Sequence, residues 1–185
     1  SQPRRFCDVC VEIIDDKGQE KPLRGLLDSG CSRSIIFKKF VSSRRLKKLG
    51  PKDYVTYSTY GGSVVSKSTA SVGLRLVEFS NSKRIDYEVR VDEANSADDS
   101  PYDIIIGADL MADVGIDLHF SSGKIVWDGQ EVSMKSPQRL TDKAVCEMIY
   151  NLHTDSPLLQ QEEERQQKIL DADYSKVDID AMVEE

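Results

Sequence analysis

An all-β domain with a helical, acidic C-terminal extension is the fold class this sequence predicts. Apolar residues alternate with polar ones in short runs through residues 6–134, turn signals separate those runs, and period and charge both change after Met134. The alternation is carried by Val9, Val11 and Ile13, by Val72, Leu74 and Leu76, and by Tyr87, Val89 and Val91. Turns are expected at Asp16-Lys17-Gly18, Gly61-Gly62, Asn81-Ser82, Asn95 to Pro101, Ser121-Ser122-Gly123 and Asp128-Gly129. Two helices are expected to interrupt the strands, one within 38–48 and one over 108–113, closed by Gly115. Beyond Met134 the stripe Ala144, Val145, Met148, Ile149 and Leu152 predicts a helix ended by Asp155-Ser156-Pro157. Residues 158–171 favour helix but offer only Leu158, Leu159, Ile169 and Leu170 as an apolar face.

The 185 residues are 39% hydrophobic and carry a net charge of −7. That charge is uneven: residues 1–134 hold 19 Lys and Arg against 20 Asp and Glu, whereas 135–185 hold 6 against 12. The nearly neutral part is therefore expected to close the core, as a domain over 6–134, and 135–185 to be a solvated extension or linker. An acidic balance argues against general nucleic-acid binding. No run approaches the roughly 18 apolar residues of a membrane helix, so no membrane association is expected. Four scattered cysteines and an opening without an apolar signal core point to a reducing, intracellular setting. A chain that opens on Ser1 is expected to be a piece of a longer one.

Chemistry is concentrated at Leu26-Leu27-Asp28-Ser29-Gly30-Cys31, where an apolar strand runs into a carboxylate and a turn. A carboxylate at the buried end of a strand is costly unless backbone N–H groups and hydroxyls satisfy it. Asp-Ser-Gly alone is also an ordinary surface turn. A second segment, Tyr102-Asp103-Ile104-Ile105-Ile106-Gly107-Ala108-Asp109-Leu110, reads as a buried strand ending at Gly and entering a short helix.

With Gly115-Ile116-Asp117-Leu118-His119-Phe120 and Lys124-Ile125-Val126-Trp127-Asp128-Gly129 following, residues 6–134 resemble the retropepsins, the aspartic proteases of retroviruses and LTR retrotransposons, most nearly those of gypsy-type polyproteins. The resemblance implies a retropepsin-like barrel working as a homodimer, with Asp28 as the catalytic carboxylate. Ser29 would tie the two active-site loops together, and Gly30 and Cys31 would complete the loop. Ile105, Ile106 and Gly107 would support it, and Tyr60, Gly61, Gly62 and Ser63 would form the flap over a peptide substrate. No metal or cofactor is implied. The implied substrates are polyprotein junctions, and the implied location is the cytoplasm or a virus-like particle. Many viral relatives pair an acidic residue with an Arg where this chain has Ser32 and Ala108, so a weak dimer is expected. The chemistry needs two carboxylates sharing a proton, and only one Asp-Ser-Gly frame is present. Asp109, Asp113 and Asp128 lack that frame and read as helix-surface and turn carboxylates.

Other readings are weaker. A retropepsin-like module without catalysis, for dimerisation or peptide binding, shares the same motifs. So does a cellular retropepsin-like protease attached to ubiquitin-handling domains. Cys7 and Cys10 have metal-pair spacing, but a strand turns them to opposite faces and no second pair accompanies them. The cluster Lys38, Lys39, Arg44, Arg45, Lys47 and Lys48 reads as a solvated face, and His119 as a strand-surface residue.

Overall fold

Strands β1 (Asp8–Ile14), β2 (Glu20–Leu27), β3 (Ile35–Phe37), β4 (Leu46–Lys48), β5 (Val55–Thr59), β6 (Gly62–Ser66), β7 (Ser68–Leu76), β8 (Ile85–Asp92) and β9 (Ile104–Ile106) precede helix α1 (Ala108–Val114). Strands β10 (Asp117–His119), β11 (Lys124–Trp127) and β12 (Gln130–Ser133) and helix α2 (Lys143–His153) follow. The computed structural model describes residues 6–14, 20–59, 62–80, 82–94, 100–136, 140–154, 165 and 167–172. Two units are distinguished, Ser1–Tyr150 and Asn151–Glu185. Within the second, Gln167 Nε2 donates to Asp171 Oδ1 at 3.0 Å along a helical stretch. The expected turn at Asp16-Lys17-Gly18, Asn81, most of 95–101 and the helix stop at 155–157 lie outside the described residues.

Hydrogen bonding runs β1-β2-β9-β3-β8-β7, and β7 returns to β1 through Gly73 to Leu76. The all-β expectation therefore holds as a closed six-stranded barrel, with β4 added outside β7. Its interior is the alternating set read from the sequence: Val9, Val11, Ile13, Val72, Leu74, Leu76, Val89 and Val91, joined by Leu23, Leu27, Ile104 and Ile106. Each such side chain contributes about 1.5–3 kcal/mol by leaving water. The meander β10-β11-β12 turns at Asp128-Gly129, both with positive φ, and Trp127 donates from Nε1 to the Val114 carbonyl at 3.0 Å.

The outer face of β1 is buried too, which a period-two strand with one wet face would not be. Asp8, Cys10 and Glu12 lie beneath Val77, Glu78, Lys135, Leu140 and the Cys146 to Tyr150 side of α2. This layer is held by polar bonds. Lys135 Nζ donates to Glu78 Oε2 at 2.8 Å and to the Asp8 carbonyl at 2.7 Å, and the Tyr150 hydroxyl donates to Glu12 Oε1 at 2.6 Å. Arg24, 4% exposed, grips the Asp103 carboxylate through Nε and Nη2 at 3.1 and 2.9 Å and gives Nη1 to the Thr141 carbonyl at 2.7 Å.

Three expectations change in detail. Residues 38–48 form two 3-10 turns, Lys38–Phe40 and Ser43–Arg45, then β4, because Val41 and Ser42 are extended and Leu46 to Lys48 pair with β7. The basic side chains are exposed there, as read. Helix α2 forms, but its buried side is Cys146 with Ile149 and Tyr150, while Met148 and Leu152 are exposed. Over 108–113 the expected helix appears one residue longer and is closed by Gly115 in the left-handed region at φ 80°, which glycine adopts without steric cost.

Truncation tests the outer layer. A chain ending after Met134 loses Leu140 and Cys146, takes Lys135 from Glu78 and leaves Arg24 Nη1 without the Thr141 carbonyl, so its urea stability should fall by at least about 3 kcal/mol relative to one ending after Thr154. Equal midpoints would show that residues 135–150 do not stabilise the barrel.

Burial pushes the Asp8 carboxyl above its ordinary value; the Tyr102 hydroxyl and the Lys135 charge pull it back and Glu78 adds to the rise. The stability linked to Asp8 is thus complete below the unfolded value near 3.8 and lost as pH rises through the higher folded one. Asp8→Asn should unfold like the parent in strong acid and be more resistant at neutral pH, as read by urea midpoints across pH. A variant weakened more at neutral pH than in acid would contradict this sign.

Candidate active site

Strand β2 carries Leu23 to Leu27 along the barrel wall, and the next residue is Asp28. Its N–H donates to the Ile106 carbonyl at 2.9 Å, continuing the parallel pairing of β2 with β9 by one residue. The chain then turns sharply. Asp28 Oδ1 accepts from the Gly30 N–H at 2.9 Å, and the Cys31 N–H reaches back to the Asp28 carbonyl at 3.1 Å. Asp28 is half-buried, and Ser29 and Gly30 are exposed. The Ser29 hydroxyl makes no hydrogen bond to a described residue.

Strand β9 lies between the two arms of this turn, parallel to β2 and antiparallel to β3. Ile105 pairs with both Leu26 and Ile35, and Ile106 with Leu27. Beyond them the Ala108 N–H donates to the Cys31 carbonyl at 2.7 Å. The Gly107 N–H donates to Ser34 Oγ at 2.9 Å. Ser34 in turn gives its hydroxyl and its N–H to Asp109 Oδ1, at 2.8 and 2.9 Å. No side chain fits at Gly107: a Cβ there would stand 2.6 Å from the Cys31 carbonyl oxygen and 2.9 Å from the Arg33 carbonyl carbon. Sequence reasoning missed Ser34 and treated Asp109 as a helix-surface carboxylate. Instead it is a brace for the loop, a role signalled only by its place two residues after the strand-ending Gly107.

Cys31 is half-buried in the same loop. Burial pushes its thiol up, Asp28 and Asp109 add to the rise, and only the contact of Sγ with the Arg33 carbonyl at 3.0 Å opposes it.

The hairpin of β5 and β6 pairs Ser58 with Ser63 and Thr59 with Gly62. Gly62 therefore belongs to a strand and Ser63 is exposed; Tyr60 and Gly61 lie outside the described residues. Tyr57, midway along the hairpin, is 8% exposed, and its hydroxyl has no hydrogen-bond partner among the described residues. Burial pushes this phenol up. The charges of Arg90 and Arg33 pull it down, while Cys31 and Asp109 raise it. Arg33 is exposed and makes no hydrogen bond or ion pair through its guanidinium with a described residue.

Three other acids are engaged. Asp113 accepts from the Tyr87 hydroxyl at 2.6 Å, Asp128 is paired with Lys83, and Asp103 is held by Arg24. Asp28 combines a strand-end position, partial exposure and a carboxylate that, among the described residues, is bonded only within its own turn; Asp92, at the end of β8, also bonds within its turn but is buried. Among the described residues no group of three His, Cys, Asp or Glu is placed to hold a metal ion, and no helix is long and apolar enough to cross a membrane.

No family model and no curated protein matches the sequence. Solved structures do. The retroviral protease-like domain of Ddi1 from Leishmania major is 16% identical, with 74% of this chain and 99% of that one covered, at a TM-score of 0.45. EIAV protease complexed with the inhibitor HBY-793 is 21% identical over 63% of this chain and 94% of that one, at a TM-score of 0.42. Both likenesses are distant, and the reading of the site stands on the geometry around Asp28.

Gly107→Ala should force the loop backbone aside and cost about 1–3 kcal/mol. Gly50→Ala, where nothing lies within 4 Å, should change stability by less than about 0.5 kcal/mol. Denaturant midpoints of the two variants check this; equal effects would mean that the loop does not pack on Gly107.

Proposed function

We propose that this chain is one half of a homodimeric aspartic endopeptidase of the retropepsin type, with Asp28 of each copy forming the catalytic pair. The setting of Asp28 supports this reading: a half-buried carboxylate at the end of a barrel strand, in a turn whose two arms both pair with β9. One chain supplies only half the chemistry, because Asp103, Asp109, Asp113 and Asp128 all have partners of their own.

In the dimer one Asp28 is protonated and its mate ionised, since two like charges at contact cannot both persist. The ionised carboxylate takes a proton from a water lying between the two. That water attacks the scissile carbonyl while the protonated carboxyl hydrogen-bonds the carbonyl oxygen and passes it the proton. The Gly30 N–H fixes which carboxylate oxygen faces the loop. Ser29 is free to bond across the dimer axis. The peptide lies extended between the loop and the β5–β6 hairpin, and Tyr60 to Ser63 close over it to exclude bulk water. Ile105, Ile106 and Gly107 hold the loop in register. The natural substrates on this reading are junctions in a polyprotein, cleaved in the cytoplasm or in a virus-like particle.

Asp28→Asn preserves the Gly30 bond but cannot hold or release the shared proton, so peptide cleavage should fall at least about a hundredfold with the fold intact. Parent activity per molecule should rise with protein concentration, because the competent dimer forms by mass action. A peptide-library assay over a dilution series, with circular dichroism on the variant, reads both. Cleavage by Asp28→Asn at the parent rate, or constant specific activity where sedimentation finds only monomer, would overturn the assignment.

A further inference from the structure

Two of the four cysteines meet. Cys10, on the outer face of β1, and Cys146, on α2, lie with their sulfur atoms 3.7 Å apart, and Cys10 Sγ is 3.8 Å from the Cys146 carbonyl. Both are sealed, at 0% and 2% exposure, in a small apolar cluster with Val77 and Leu140, edged by Ile149 and Tyr150. The other two cysteines lie elsewhere: Cys7 points to the barrel interior, and Cys31 sits in the Asp28 loop. The expectation that Cys7 and Cys10 face opposite ways is thus met, and it leaves Cys10 to the helix.

We propose that Cys10 and Cys146 form a redox modification site, whose disulfide clasps α2 to the barrel under peroxide. Disulfide sulfurs stand about 2.05 Å apart, so a shift of α2 by less than 2 Å closes the bond. The oxidant is hydrogen peroxide. One thiolate attacks the peroxide O–O bond, becoming a sulfenic acid and releasing hydroxide, which takes up the thiol's proton as water. The second thiol then attacks the sulfenic sulfur, forming the S–S bond and expelling a second water. Two thiols and one peroxide thus give one disulfide and two waters.

Burial keeps the docked pair slow to react. The Cys10 thiol is pushed far above its ordinary value by its hydrogen bond with Cys146 and by desolvation, so thiolate is scarce until α2 loosens. The clasp therefore forms through brief undocking of residues 140–150 and then prevents it. The 136 residues that separate the two positions make the closed loop nearly as large as the first unit. The cross-link consequently removes much of the freedom of the unfolded chain. None of this depends on the proteolytic reading.

The full chain, purified reduced, is treated with hydrogen peroxide, alkylated, digested without reductant and mapped by mass spectrometry, with thermal unfolding followed in parallel. The expected result is a Cys10–Cys146 cross-linked peptide, faster formation in dilute urea that loosens α2, and a rise in Tm of about 10 °C that a thiol reductant reverses. Cys31→Ser should behave as the parent, and Cys146→Ser should show neither cross-link nor rise. Pairing of Cys10 with Cys7 or Cys31, a cross-link that lowers Tm, or no Cys10–Cys146 peptide under peroxide that oxidises Cys31, would each overturn the proposal.

Discussion

Strand β9 is the wedge on which the rest of the site depends. It is three residues long, yet it bonds to the strand before the Asp28 turn and to the strand after it, in opposite senses. Such a wedge works only if its end can touch the turn backbone, and the absent side chain of Gly107 permits that approach. The same point anchors the start of α1, so Asp109 reaches Ser34 from the first turn of the helix. Barrel closure, loop position and helix entry are thus one hydrogen-bonded unit.

The outer layer over β1 has the opposite character. Its polar groups are buried in pairs, and two of its carboxylates, Asp8 and Glu12, are pushed up chiefly by burial. Many folded proteins lose stability in acid because paired carboxylates must take up protons; these two gain from it instead.

What was legible in the sequence follows from what a local pattern can encode. The barrel strands could be read because Val9, Val11 and Ile13, and their counterparts in β7 and β8, each alternate against one core. The Asp28 turn and the Ile106-Gly107 strand end could be read because each is a short, contiguous chemical signature. Ser34 could not, since its hydroxyl matters only through Gly107 and Asp109, 73 and 75 residues away. The 38–48 segment reads as helix from composition, but the edge of β7 claims Leu46 to Lys48. In α2 the apolar stripe points the wrong way because Cys146 and Tyr150, a thiol and a phenol, supply the buried face in place of Met148 and Leu152.

A barrel that closes on itself leaves few strand edges for other chains to copy, and β4 outside β7 is one of them. It is only three residues long, and two of these are the exposed lysines Lys47 and Lys48. Any foreign strand settling against that rim would have to strip water from both ammonium groups, and a second copy of β4 would bring like charges face to face. The rim therefore disfavours sheet-to-sheet growth. The exposed lysines thus act at this rim as a guard against strand-to-strand growth into fibres.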